Sequence, residues 1–469
     1  MTWTSSGSRR RVVPPLLAVA LVLTACGGAA SPASPSSGAP SNAASAPAAP
    51  STTSAAASAA ASNAGSGPIK VGLIEPLTGA FSPNGKDGRD GLELYMESIN
   101  NTVAGRKIEI SEADTTGDAG VALTKTKQLV EGAGVQLLTG FVATPECYAV
   151  AGYVQQAHIP MMVMTDCAAQ DLTTNPKYAS PYLSRWSTVS ITEGDVAADY
   201  AYGAGLRKAI VMTADYAPGL QVGDLFASAF IARGGTVVQE VHAPPGTTDF
   251  GPYLAQLNAD ADVMALFEVG VDPLRFGSQY PDYAGGRKLQ LIDMAGVMAG
   301  AALGQLNTKI LNLISIANFN ASNPNPQLQA FQKAFAAKYP GRDVSEEALN
   351  GWNNGFVIEA AIKKVNGNVE DRQALLNAIN SISIDGPKGH ISLDDHHDVV
   401  QDKYVVQVVK DNPIVNGVGL KLLKTYNNVG QFWDRTPDQL AKFNAGSMKG
   451  QWVGMTKDKL GGVLSSPSS

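Results

Sequence analysis

The chain has 469 residues, of which 44% are hydrophobic and 16% charged, with a formal net charge of −6. Length and apolar content are sufficient for a sizeable core and for two or more lobes. The acidic balance, with no basic patch, argues against a nucleic-acid binder.

The first 25 residues read as an export signal. Arg9, Arg10 and Arg11 form a positive n-region, and "LLAVALVLTA" is an apolar h-region. It is about half the roughly twenty residues that a spanning helix needs, and no later stretch reaches that length. Its removal would take away three arginines and leave a chain of charge −9. "SRRRVV" also has some likeness to a twin-arginine signal, so the export route stays open. From residue 27 to 66 the sequence is almost wholly Ala, Ser, Pro and Gly, with too little large apolar surface to offset the entropy of ordering. Residues 26–67 are therefore expected to be a flexible leash with a reach of roughly 35 Å.

The folded part begins at Pro68. "IKVGLIEPLTG" predicts a strand, and "GLELYMESI" puts Leu92, Tyr95, Met96 and Ile99 on one helical face. Strand "RKIEISEAD", helix "ALTKTKQLVEGA", strand "VQLLTGFV", helix "CYAVAGYVQQA" and strand "PMMVM" follow. A second round starts with strand "KAIVMTA" and helix "GLQVGDLFASAFIARGG". It continues through strand "TVVQEVHA", helix "FGPYLAQLNAD" and strands "DVMALFEVG" and "LQLIDMAG". This alternation predicts an α/β protein with parallel sheets in two similar blocks, and a ligand cleft between them at the carboxyl ends of the strands. "GHISLDDHHDVVQDKYVVQVV" reads as a closing β-hairpin whose acidic, His-containing tip is a solvated turn and not a metal site. The tail from Phe432 to Ser469 is weakly patterned.

Several segments together resemble one known family. "LTAC" is similar to the lipobox of bacterial lipoproteins, which makes Cys26 the acylation site. "VGLIEPLTGAFSPNGKDGRDGLEL", "LLTGFVATPECYAV", "IPMMVMTDCA", "TADYAPG" and "GPKGHISLDD" resemble, in that order, the leucine/isoleucine/valine-binding group of ABC-transporter solute receptors. The resemblance implies the type I periplasmic-binding-protein fold: two Rossmann-like lobes joined by a hinge of three crossings, here near Ser187, Asn318 and Asp395. Lobe 1 would hold residues 68–187 and 319–395, and lobe 2 residues 188–318 and 396–431.

The same resemblance places ligand contacts on the loops after strands. Thr144, beside Ala143, stands where the family offers a hydroxyl to a ligand carboxylate, and the helix start there would also suit an anion. Thr165 and Asp166 follow "PMMVM", with an acid where relatives have small residues. Tyr216 matches a tyrosine that closes from the second lobe. Ala295, beside Met294, occupies the place of a glutamate that pairs with an amino-acid ammonium; Glu268 could supply the carboxylate instead. If no acid faces the pocket, an amine-free carboxylate such as an aromatic acid is expected in preference to an amino acid. Asn84 lies where some amino-acid binders have a tryptophan. Cys147 and Cys167, in an exported chain, are either a disulfide or two separate buried thiols.

No G-x-S-x-G, H-E-x-x-H, Walker A or post-strand G-x-G-x-x-G occurs. The expectation is a non-enzymatic, cofactor-free monomer, lipid-anchored outside the cytoplasm, that serves ABC permease subunits. A ligand sensor without a transport role is the alternative.

Overall fold

The structure is a computed structural model that describes residues 65 and 67–465 except 170, 189–191, 285, 287, 301 and 412–414. The expected signal, Cys26 and nearly all of the leash lie outside the described residues.

Two sheets organise the chain. The first holds β1 (Ile69–Glu75), β2 (Thr102–Val103), β3 (Arg106–Asp114), β4 (Leu137–Gly140), β5 (Met161–Val163) and β6 (Leu183–Arg185), in the order β2-β3-β1-β4-β5-β6. All but the β2–β3 pairing are parallel. The second contains β7 (Lys208–Ala214), β8 (Thr236–Ala243), β9 (Val263–Phe267), β10 (Gln290–Asp293) and β11 (Ile314–Ala317). To these it adds β12 (Ser383–Gly386), β13 (Gly389–Leu393), β14 (Val399–Val409) and β15 (Gly419–Val429). Strands β8-β7-β9-β10-β11 are parallel, and the later strands add antiparallel from β14 outward. Central strands such as β4, β7 and β9 are almost continuously buried, as parallel strands covered on both faces must be.

The described fold agrees with the alternating pattern of the sequence, with local differences. "FGPYLAQLNAD" forms only one turn, Gly251–Leu254, since Gly251 and Pro252 start a helix well but Asn258 and Asp260 turn the chain back onto itself. The helix expected over "ALTKTKQLVEGA" is α-helical from Ala119 to Lys127 and then widens to a π-helical turn, Gln128–Ala133, closed by Gly134 in the left-handed region.

Helix Ser82–Ser98 and helix Glu346–Lys364 approach unusually closely. A Cβ on Gly91 would lie 1.8 Å from Ala348 O, and one on Gly351 would lie 2.0 Å from Gly88 O. Only glycine permits such contact. The contact fixes the start of the second helix, capped by Ser345, against the first sheet.

The chain passes between the sheets after β6, after β11, and around the β13–β14 turn. These segments are tied by buried polar groups. Arg185 and Asp398 are both fully buried and form a two-pronged ion pair, in which Nε donates to Oδ1 at 2.9 Å and Nη2 to Oδ2. Arg185 also donates to the carbonyls of Cys167 and Ala169. The hairpin tip is thus not solvated throughout: its last residue, Asp398, is pulled inside by a buried arginine, a partner 213 positions away that local sequence does not reveal. Lys403 donates to Glu193 at 3.3 Å and to Asn318. Burial pushes Glu193 up to about 8 despite that lysine.

The tail packs closely. Leu440, Phe443, Met448, Trp452 and Leu460 are buried in the core cluster of helix Ala217–Arg233. Trp452 Nε1 donates to Asp224 Oδ1 at 2.6 Å, and the amides of Gly450 and Trp452 donate to Glu240. Arg435 pairs with the buried Asp195. The sequence pattern was weak because the segment packs through isolated anchors between turns, without helical or strand periodicity.

Candidate functional site

The carboxyl ends of both sheets converge on one cavity, with about 500 Å³ of empty space including its opening to solvent. That is the size and place expected for a small-molecule site in a doubly wound fold. The first sheet contributes Phe81 and Asn84 after β1, Val142 after β4, Thr165 and Asp166 after β5, and Thr188 after β6. From the second come Phe267, Val269 and Gly270 after β9, Ala295 and Val297 after β10, and Asn318 after β11. The start of helix Glu346–Lys364 adds Glu346, Glu347 and Asn350.

The first wall is held rigidly. Gly140 ends β4 at φ 124, where a Cβ would meet Ile74 O at 2.1 Å, so the chain can turn only with glycine there. Cys147 and Cys167 are joined in a disulfide, with Cα atoms 6.4 Å apart. It ties the helix Thr144–Ala157 to the loop carrying Thr165 and Asp166. Thr165 Oγ1 donates to Glu75 Oε1, and Asn350 donates to Thr165 O at 3.3 Å. Lys388 Nζ, fully enclosed, donates to Asn350 Oδ1 and to Ser187 O. Burial lowers Lys388 to about 8.

Carboxylates dominate the electrostatics. Asn84 donates to Glu347 Oε1 at 2.5 Å. Burial, then the charges of Asp87 and Glu346, push Glu347 up to about 7. Glu75, behind Thr165, is raised well above its ordinary value, chiefly by burial. Glu268 stands between the lining residues Phe267 and Val269, is 1% exposed, and has no hydrogen-bond partner on either oxygen. Burial and then Asp272 raise it to about 9. Tyr216 is raised by burial, then by Asp166 and Glu268, which places its phenol near both acids.

Of the residues expected from sequence, Asn84, Thr165 and Asp166 line the cavity together with Ala295. Met294 is buried beside Ala295, and Ala143 and Thr144 lie behind Val142. Thr144 Oγ1 accepts from Ala169 N–H at 3.2 Å, and Glu146 Oε2 accepts from Ala143 N–H at 2.9 Å. The helix start that would suit a ligand anion is thus already occupied by the chain's own carboxylate. The condition behind the expected amine-free carboxylate is not met either, because Asp166, Glu346 and Glu347 all line the cavity. Sequence reasoning missed Glu346, Glu347, Asn350, Asn318 and Thr188. The helix-start signature "SEE" and the glycines of "NGKDGRDG" are the signals from which the first two could have been placed. Among the described residues no group of three or more His, Cys, Asp or Glu could hold a metal ion.

Comparison with known proteins identifies this architecture. The profile for periplasmic binding proteins matches residues 68–413. The chain belongs to the periplasmic binding protein family. A Leu/Ile/Val-binding protein homolog of Brucella melitensis is 28% identical over 350 residues, 73% of this chain and 88% of that protein. Among solved structures, an ABC transporter substrate-binding protein from Sphaerobacter thermophilus is 31% identical with a TM-score of 0.71, covering 77% of this chain and 98% of that one. A solute-binding protein of an ABC transporter from R. palustris, in complex with benzoate, is 26% identical with a TM-score of 0.70, covering 76% and 96%. In this periplasmic binding protein the family match ends before β15 and the packed tail. No helix among the described residues is long and apolar enough to cross a membrane.

Proposed function

We propose that the protein is a lipid-tethered extracytoplasmic receptor that closes on a small organic solute and presents it to an ABC importer. The observation that carries this reading is the cavity built from the strand ends of both sheets. A solute touching both walls favours the closed arrangement, and no covalent step is needed. Phe81, Phe267, Val269 and Val297 suit an apolar or aromatic body. The named relative of Brucella and the benzoate complex of R. palustris support solutes of that size. Asn84, Thr165 and Asp166 contact the solute from the first wall, and Tyr216 and Glu268 complete the second. Ala143, Thr144 and Met294 back these walls.

The export signal, Cys26 and the leash support tethering by acyl chains, since stable anchoring takes more than one. Cells labelled with palmitate should yield a labelled protein, and Cys26→Ala should abolish the label. The receptor role is tested on purified protein stripped of solute and screened by thermal shift against amines, amino acids and aromatic and aliphatic acids. A raised melting temperature with the solute recovered unchanged supports the reading. Chemical conversion of the solute, or no response to any class or to cell extract, overturns it.

A further inference from the structure

We propose that the solute is an organic cation, a protonated amine without a carboxylate, gripped between Asp166, Glu346 and Glu347 with Phe81 and Phe267 beside it. The proposal rests on the receptor reading and specifies what that receptor selects. Among the described residues three carboxylate side chains line the cavity, and no Lys, Arg or His does. The nearby buried cations are all engaged elsewhere. Arg185 is held by Asp398, Lys403 by Glu193 and Asn318, and Lys388 by Ser187 O and Asn350.

Two of the helix starts at the cavity carry the chain's own acids, and the third, helix Ser82–Ser98, turns Asn84 towards Glu347. Glu146 caps the helix beginning at Thr144, and Glu346 and Glu347 occupy the first turn of the helix capped by Ser345. A ligand carboxylate would meet three like charges there, and the nearest buried cation, Lys388 behind Asn350, already faces Glu346. A second, independent observation is Glu268. It is 1% exposed, it is flanked in sequence by two lining residues, and neither carboxylate oxygen has a partner. Buried acids are normally paired, and one left without a donor in the loop whose neighbouring residues line the cavity is open to a donor that arrives with the ligand. Aromatic side chains along the cavity add favourable contacts for a cation.

Electrostatics supports the same reading. Glu347 is raised to about 7 by burial and by Asp87 and Glu346, with Glu75 also nearby and with its own backbone N–H and the neutral Asn84 as donors. An entering ammonium favours the ionised form of such a group, whereas an anion would require its protonation.

The test is calorimetric titration of the solute-free protein with two matched sets: 2-phenylethylamine, phenylalanine and phenylacetate, and 3-methylbutylamine, leucine and 3-methylbutanoate. In at least one set the amine should bind about tenfold or more tighter than the amino acid, with the acid weakest. Glu346→Gln and Glu347→Gln should each weaken the amine on the order of tenfold to a hundredfold, while Lys449→Ala, remote from the cleft, changes nothing. If either variant fails to fold, the pH dependence of the native protein decides. Amine affinity should fall between pH 8 and pH 5 as Glu347 takes up a proton, and constant or rising affinity overturns the proposal. Tighter binding of an amino acid or acid overturns it and leaves the receptor reading intact. If neither the six compounds nor cell extract binds, both fall together.

Discussion

The hinge and the cleft treat buried charge in opposite ways. At the hinge acids meet cations: Asp398 meets Arg185 through two hydrogen bonds, and Glu193 meets Lys403. Around the cleft the carboxylates of Glu75, Glu268, Glu346 and Glu347 gather without a cation on the wall, and oxygens of the first three have no partner. Both regions bear the desolvation cost of charge. The hinge offsets it with direct ion pairs, whereas at the cleft Lys388 faces Glu346 from behind Asn350 without touching it. The contrast separates charge that holds the fold from charge that awaits a solute.

Breaking the hinge should give the largest effect. Asp398→Ala leaves Arg185 buried and uncompensated, and should lower unfolding free energy by about 3–5 kcal/mol in a denaturant titration. A loss below about 1 kcal/mol would show that water reaches Arg185. Removing the disulfide by Cys147→Ser with Cys167→Ser should cost about 3 kcal/mol, given a loop of 20 residues. Solute affinity should fall as well, because the same bond anchors the loop of Thr165 and Asp166.

In the cleft the sign should reverse. Glu268, with its folded value raised to about 9, binds a proton in the folded state that the unfolded chain has released above its ordinary value near 4.5. Its contribution is fully present below that ordinary value and is lost as pH rises towards 9. Glu268→Gln should therefore stabilise the solute-free protein by roughly 1–3 kcal/mol at pH 8 and by little at pH 4. Equal melting curves at both pH values would place the carboxylate in water. The smallest effect belongs to the half-exposed pair of Lys449 and Asp215, 2.5 Å apart at the tail, where Lys449→Ala should cost less than about 1 kcal/mol.

Sequence alone carried the alternation of strands and helices a long way, because parallel strands buried on both faces leave continuous apolar runs such as "KAIVMTA". It also reached the cleft loops, because these follow directly from strand ends. It did not reach Glu346 and Glu347. Their presence in the cleft depends on the glycine-to-glycine contact of two helices more than 250 positions apart, so the helix-start and glycine signals place them only when the two segments are read as a pair. Asp398 was misread for the same reason, since its burial depends on the distant Arg185. Thr144 was placed on the correct loop, but its role there is shaped by Ala169 and Glu146, which already take up its hydroxyl and the helix start.

The clasp formed by Trp452 and its neighbours has a practical consequence. It seals the outer flank of helix Ala217–Arg233, whose first turn directly follows Tyr216. A chain shortened to end at residue 431, after β15, would lay bare Leu220, Leu225 and the carboxylate of Asp224, and would invite clumping.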